Sequence, residues 1–148
     1  MIYNRHSLYE FYQLKGYLWG EEVSVLVNHW PSRRGGKNRS APLRNAAARL
    51  QHRIMDSLLS LNPKAKILIV VDLNDNPSDA SLFSLTQKND SNLHSQPLYN
   101  PMKSLSQKGL GSFAYRYQWY LFDQILLSQA WLKDPYFFFL QANFFNPP

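Results

Sequence analysis

Two short apolar runs, Val23 to Asn28 and Ile67 to Val71, flank a long amphipathic stretch. In both runs odd and even positions are mostly apolar, which predicts strands buried on both faces. Between them Leu43, Ala47, Leu50, Ile54 and Leu58 recur at steps of three and four, the stripe of a core-facing helix from about Ala41 to Leu61. That stripe leaves Arg44, Arg49, His52, Arg53 and Asp56 largely on other faces. Ser40 can cap the helix, Pro42 is tolerated in its first turn, and Asn62-Pro63 stops it. Strand, helix, strand at these lengths predicts an α/β layer. Tyr9 to Trp19 reads as a further strand with Gly16 and Gly20 as punctuation, followed by Glu21-Glu22 as a turn. Ser78 to Leu85 reads as a short helix and Lys88 to Lys108 as a polar loop. Tyr115 to Tyr120 and Phe122 to Leu127 read as two strands or one bent ribbon, and an aromatic tail begins at Pro135.

A chain of 148 residues is one domain's worth, able to bury ~70 % of its unfolded surface. A hydrophobic fraction of 45 % with 18 % charged residues describes a globular protein. The absence of cysteine excludes disulfides and thiolate metal sites and leaves the compartment open, cytoplasmic or exported. Met1-Ile2-Tyr3-Asn4-Arg5-His6 lacks the apolar core of a signal peptide. No apolar run approaches membrane-spanning length; Phe137, Phe138, Phe139 and Leu140 form the greasiest patch and are too few. The expectation is a soluble chain.

The net charge of +6 is unevenly placed. From Val23 to Met55 there is no Asp or Glu, yet Arg33, Arg34, Lys37, Arg39, Arg44, Arg49 and Arg53 all fall there. Such a patch suits a polyanion, nucleic acid or a phosphorylated metabolite. A solvated loop and helix face accounts for the same charges without a partner.

Three polar clusters sit where strands stop: Asn28-His29-Trp30-Pro31-Ser32-Arg33-Arg34-Gly35-Gly36, Val71-Asp72-Leu73-Asn74-Asp75-Asn76-Pro77, and Leu121-Phe122-Asp123-Gln124 running on to Ser128. In an extended segment Asp72 and Asn74 would point to one side, beside the strand end where open α/β sheets host ligands. A carboxylate there can deprotonate water, and an amide can donate to a phosphoryl oxygen. An Asp/Asn-rich turn bonding its own backbone is the plainer alternative. Arg33 and Arg34 suit bidentate phosphate contacts, and Trp30-Pro31 could wall a pocket. Gly35-Gly36-Lys37 fails as a phosphate-cradling P-loop, because Pro31 stands where its first glycine belongs and Asn38 replaces Ser/Thr. Asp123, beside Phe122 and Ile125, would need a partner if ionised in apolar surroundings. Tyr115, Tyr117 and Trp119 would share one strand face and read as packing. His6, His52 and His94 read as surface residues.

The order of these blocks resembles the endonuclease/exonuclease/phosphatase family, metal-dependent phosphoesterases that include deoxyribonuclease I. It looks closest to a bacterial branch carrying the Asn28–Gly36 run. The resemblance implies an α/β (α+β) fold, part of a four-layer β-sandwich with flanking helices. It implies a catalytic set of His29, Asp72, Asn74 and Asp123, substrate contacts from Trp30, Arg33 and Arg34, and Mg²⁺ (or Mn²⁺) at Asp72 and Asn74. The family's run here is Gly-Asp-Phe-Asn-x-x-Pro; Val71 and Leu73 replace the glycine and phenylalanine, and Val71 is expected to crowd the site. The family's Asp pairs with a histidine from a terminal Ser-Asp-His motif, yet no histidine follows His94. Its metal-binding glutamate and a nearby asparagine come from earlier strands, and Glu10, Glu21 and Glu22 have no matching context. Residues 1–148 are therefore expected to be a single partial domain with a poor Mg²⁺ site, weak or inactive alone. Its sheet would expose apolar surface and favour self-association. The implied function is phosphoester hydrolysis on DNA, RNA, a phospholipid headgroup or a small phosphoester. The rival is a non-catalytic nucleic-acid or polyanion-binding module.

Overall fold

The strand–helix–strand expectation holds in a computed structural model that describes residues 10–87 and 97–144. β1 (Glu10–Leu18) and β2 (Glu21–His29) form an antiparallel hairpin. Its loop is only Trp19-Gly20, at φ 52° and 84°, the mirror-image turn whose twist matches the strands it joins. Glu21 and Glu22, expected as a turn, therefore open β2, and Lys15 Nζ lies 2.9 Å from Glu22 Oε1. α1 (Lys37–Leu61) returns the chain to β3 (Lys66–Asp72), parallel to β2. α2 (Ala80–Thr86) follows, then α3 (Met102–Gln107) inside the stretch expected to be a polar loop. Met102 and Leu105, one turn apart, are buried against Leu121, and that apolar pair is what holds this helix. β4 (Phe113–Tyr115) and β5 (Gln118–Tyr120) make a separate hairpin, β6 (Asp123–Leu127) pairs antiparallel with β3, and α4 (Ala130–Lys133) precedes the tail. The main sheet has four strands in the order β1-β2-β3-β6.

α1 starts after Gly36, earlier than the Ser40 cap that was expected, and Ser40 Oγ instead donates back to the Gly36 carbonyl at 2.8 Å. Its buried side is Ser40, Arg44, Ala47, Ala48, Gln51, Met55 and Leu59, while Leu43 is 40 % exposed and Leu50, Ile54 and Leu58 are half-buried. The helix is rotated by about one residue, roughly 100°, from the expected stripe. Two polar residues cause this, each meeting a partner distant in sequence. Arg44 reaches Asp75, and Gln51 Oε1 accepts from Asn28 Nδ2. Ala47 and Ala48 have little side chain to hold the helix off the strands, and Leu26, Ile67, Ile69, Val71 and Leu126 pack beneath it.

The opposite face of the sheet is only partly covered. Val25, Leu68 and Ile125 pack under Trp131, Phe137 and Phe139, but Val27 and Val70 stay 38 % and 40 % exposed. Strands expected to be buried on both faces are thus closed on one and half-open on the other. The N-terminal hexapeptide, His94 and the Asn146-Pro147-Pro148 end lie outside the described residues. Among the described residues no helix is long and apolar enough to cross a membrane.

Candidate functional site

Sheet register brings the three sequence blocks together. His29 lies opposite Asp72, and Asp72 opposite Asp123, so the three form one row across β2, β3 and β6. Alternation puts that row on the face away from α1, since Val71 and Leu126 point the other way into the helix-covered core. Backbone bonds tie the blocks beyond the strands: Trp30 N–H to the Asp72 carbonyl at 2.9 Å, Leu73 N–H to Phe122 at 2.8 Å. The Asn76 side-chain oxygen accepts from Leu121 N–H at 2.9 Å.

Asp72 and Asn74 converge as expected, by a different route. β3 ends at Asp72, Leu73 is fully buried, and Asn74 turns into the left-handed region at φ 52°. Asp72 Oδ1 accepts the Asn74 N–H at 3.0 Å, a side-chain-closed turn that asparagine tolerates at its third position. The plainer turn reading is therefore realised too, and it is what aims Asn74 back at β2. Asn74 Nδ2 donates to the Trp30 carbonyl at 3.0 Å and sits 3.3 Å from His29 Nε2. His29 Nε2 is in turn 3.7 Å from Asp72 Oδ2. Val71 does not crowd this group, because it packs on the helix side.

Asp72, Asn74 and Asp123 line one cleft of about 670 Å³ with Arg33, Lys37, Ser112 and the rings of Phe113, Tyr115, Tyr120 and Phe122. A second cleft of about 720 Å³ is lined by His29, Trp30, Arg34, Arg39 and Leu43 among others. His29 therefore stands between the two. Asp123 is exposed at the open end of β6, with no side-chain hydrogen bond or ion pair to a described residue. Asp123 needs no partner although aromatic rings share its cleft, because it begins its strand at the sheet's rim and meets solvent. Trp30 is 1 % exposed and belongs chiefly to the core. Arg34 is exposed and pairs with no described acid.

Arg33 is already engaged. Its Nε donates to the Asn74 carbonyl at 2.7 Å, and Nη2 reaches Asp79 Oδ2 at 2.8 Å and Asp75 Oδ1 at 3.3 Å. The guanidinium also lies 4.6 Å over the Phe122 ring. Sequence reasoning missed the acids behind this. Asp75 is buried and holds Arg44 Nε at 2.8 Å, a charge contact whose N–H is not aimed at the oxygen, and it accepts Ser81 Oγ at 2.8 Å. Asp79 takes Lys37 Nζ at 2.5 Å. Three of the seven basic residues of the acid-free window are thus neutralised internally, leaving Arg34, Arg39, Arg49 and Arg53 exposed. His52, expected at the surface, is half-buried and 3.0 Å from Asp56. Tyr115, Tyr117 and Trp119 do not share a packed face: a turn at Arg116-Tyr117 (φ 48° and 63°) folds them into the hairpin, 52 %, 108 % and 63 % exposed.

Burial pulls the Asp79 carboxyl upward, but the Lys37 hydrogen bond, the Asn76 N–H and the Lys37 and Arg33 charges outweigh it and hold it below the usual carboxylate range. A depressed carboxyl contributes stability that is complete above its unfolded value and lost as pH falls through its folded one. Urea midpoints should therefore be flat through neutral pH and drop below about pH 4. In Asp79→Asn that acid drop should shrink, and an identical pH profile in the variant would remove Asp79 from the account.

Among the described residues no three His, Cys, Asp or Glu side chains cluster closely enough to hold a metal ion. Asp72 offers mainly Oδ2, its Oδ1 being occupied by the Asn74 N–H.

Comparison with known proteins bears on the fold. Truncated Caenorhabditis elegans TDP2 superposes with a TM-score of 0.58 at 16 % identity, covering 85 % of this chain and 49 % of that one. The human Nocturnin catalytic domain with bound sulfate anion gives 0.52 at 20 % identity, covering 79 % and 39 %. D. rerio TDP2 complexed with single strand DNA product gives 0.51 at 18 % identity, covering 88 % and 50 %. The chain thus spans about half or less of the structures it resembles, and the shared fold is deoxyribonuclease I-like, as expected. No curated protein sequence matches it. A family model described as Endonuclease/Exonuclease/phosphatase family matches residues 4–148, nearly the whole chain, and the chain belongs to that family.

Proposed function

We propose that the chain carries phosphoester hydrolysis at the row of His29, Asp72 and Asp123 with Asn74. The observation that supports this most is the meeting of these four residues, drawn from three distant blocks, at one strand end beside an open cleft. In this reading a water attacks phosphorus in line with the departing oxygen. Asp72 Oδ2 orients that water and takes its proton. Asn74 Nδ2 and His29 donate to the phosphoryl oxygen as negative charge builds on it. Asp123, across the sheet from Asp72, holds the leaving side of the cleft polar, and Arg34 contacts a neighbouring phosphate. Arg33 acts by fixing the Asn74 carbonyl rather than by binding phosphate. Trp30 supports the backbone that Asn74 grips.

Members of the family generally use divalent metals. Asp72 and Asn74 do not by themselves fit Mg²⁺ or Mn²⁺, which demand six near-octahedral ligands, so the steps above use protein groups only. Calorimetric titration of Mg²⁺ into the free chain should show no saturable binding below about 1 mM. Micromolar binding without substrate would contradict that reading.

The test of function is hydrolysis of a generic phosphodiester and of oligonucleotides, with millimolar Mg²⁺ or Mn²⁺ and with chelator. Slow turnover that stops in Asp72→Ala is expected; equal turnover in Asp72→Ala overturns the proposal. A second reading, a non-catalytic polyanion-binding module, draws on the exposed Arg34, Arg39, Arg49 and Arg53. Salt-sensitive binding without any hydrolysis, surviving both Asp72→Ala and chelation, favours the module.

We also read residues 1–148 as a partial domain whose half-open sheet face, with Val27 and Val70 exposed, supports self-association. Size-exclusion chromatography with light scattering should show species larger than 17.3 kDa; a stable monomer at tens of micromolar removes this part.

A further inference from the structure

We propose that the β4–β5 hairpin is a stacking wall for the bases of an unpaired nucleic-acid strand whose backbone lies in the Asp72–Asp123 cleft. The proposal rests on the hydrolytic reading for the backbone's position and adds the chemistry of what hangs from it.

Four aromatic side chains of the hairpin, Phe113, Tyr115, Tyr117 and Trp119, are 46 %, 52 %, 108 % and 63 % exposed. Surface so exposed gains little from folding, so core packing does not explain it. The rings facing the cleft are ordered. Phe113 and Tyr115 lie with centroids 6.4 Å apart and planes 10° apart, and Phe113 and Phe122 are 5.6 Å apart at 22°. Arg116 lies 5.2 Å over Tyr115 at the outer end of this row, and Arg33, its charge met by Asp75 and Asp79, packs 4.6 Å over Phe122 at the inner end. The wall is also held in place. A Cβ at Gly111 would lie 2.6 Å from the Tyr120 carbonyl oxygen, and Ser112 N–H donates to that same oxygen at 2.9 Å. Only glycine lets the chain entering β4 approach β5 this closely.

One cleft therefore joins near-parallel aromatic surface on one side to Asp72, Asn74 and Asp123 on another, with Arg33 and Lys37, both paired to Asp79, at its border. A small phosphoester would leave the rings unused. In a duplex the base faces are already stacked on one another. An unpaired strand presents both a phosphate backbone and free base faces, and any base can stack, so the wall implies little sequence preference. An acyl chain would use the apolar area but not the ordered rings with Arg116 at their outer end.

The experiment is fluorescence anisotropy, read before turnover accumulates, with a single-stranded oligonucleotide, an abasic oligomer of equal length, the duplex, and anionic phospholipid vesicles as competitor. The single strand should bind about tenfold or more tightly than the abasic oligomer, and better than the duplex. That preference should vanish in Phe113→Leu/Tyr115→Leu, which keeps bulk without rings, and persist in Tyr115→Phe. Equal binding of base-bearing and abasic oligomers, no oligonucleotide binding, an unchanged preference in the double variant, or stronger competition by vesicles overturns the wall. Asp72→Ala should retain the preference. A base preference with no hydrolysis by the parent chain would thus sink the catalytic reading while sparing this one.

Discussion

Asp75→Ala is expected to destabilise the fold by about 3–5 kcal/mol, the cost of removing one partner of a buried ion pair. The Arg44 side chain is fully buried and that of Asp75 is 5 % exposed. Arg44 also donates to Ser40 Oγ at 2.8 Å and to the Lys37 carbonyl at 3.1 Å, bonds that hold its guanidinium in place once the acid is gone. The stranded cation would lie under the first turns of α1, beside the loop that carries Asn74. Arg44→Met/Asp75→Ala removes both charges and should recover much of the loss, since a buried pair replaced by apolar groups is often close to neutral. Urea unfolding measures all three proteins. A loss under about 1 kcal/mol in Asp75→Ala would mean that water reaches Arg44 and that the pair is not a keystone of the site.

The largest functional effect is expected at Asp72. Asp72→Ala should lower turnover by about 10²–10⁴-fold, the range for losing a positioned general base. Its side chain is 39 % exposed, so the accompanying loss of stability should be small. Alanine also removes the oxygen that closes the turn onto Asn74 N–H. Asp72→Asn separates these effects, because an amide oxygen can still accept that bond but cannot take a proton. Turnover in Asp72→Asn should be as low as in Asp72→Ala, with stability close to the parent. Recovery of turnover in Asp72→Asn would assign Asp72 to shaping the loop and move the base elsewhere.

Exposed hydrophobic surface on the sheet and exposed rings on the hairpin have different explanations. Val27 and Val70 are register partners on a face partly closed by Trp131, Phe137 and Phe139, a geometry that further apolar polypeptide could complete. The hairpin rings carry Arg116 over Tyr115 and open into the cleft that holds Asp72, Asn74 and Asp123. The first pattern suits a packing partner and the second a ligand with flat apolar faces and negative charge.

Strands, the long helix and the candidate chemistry were legible along the chain because each depends on local signals. Val23–Asn28 and Ile67–Val71 are apolar runs long enough for strands, and Asn62-Pro63 and the polar clusters mark where elements stop. Even the corrected boundaries have local causes, such as the positive φ at Gly20 and Gly36. What depended on distant pairing was not legible. The face α1 turns inward follows from Arg44 meeting Asp75 and Gln51 meeting Asn28, and no hydrophobic stripe encodes those contacts. Arg33 looked like a phosphate ligand until Asp75 and Asp79, 42 and 46 residues away, took its charge. The row of His29, Asp72 and Asp123 is a matter of register, and a one-residue slip would send Asp72 into the core. Local sequence therefore determined which elements form and which reactive side chains end them. Tertiary structure alone decided which of those side chains meet, because burial and charge pairing select partners by proximity in space.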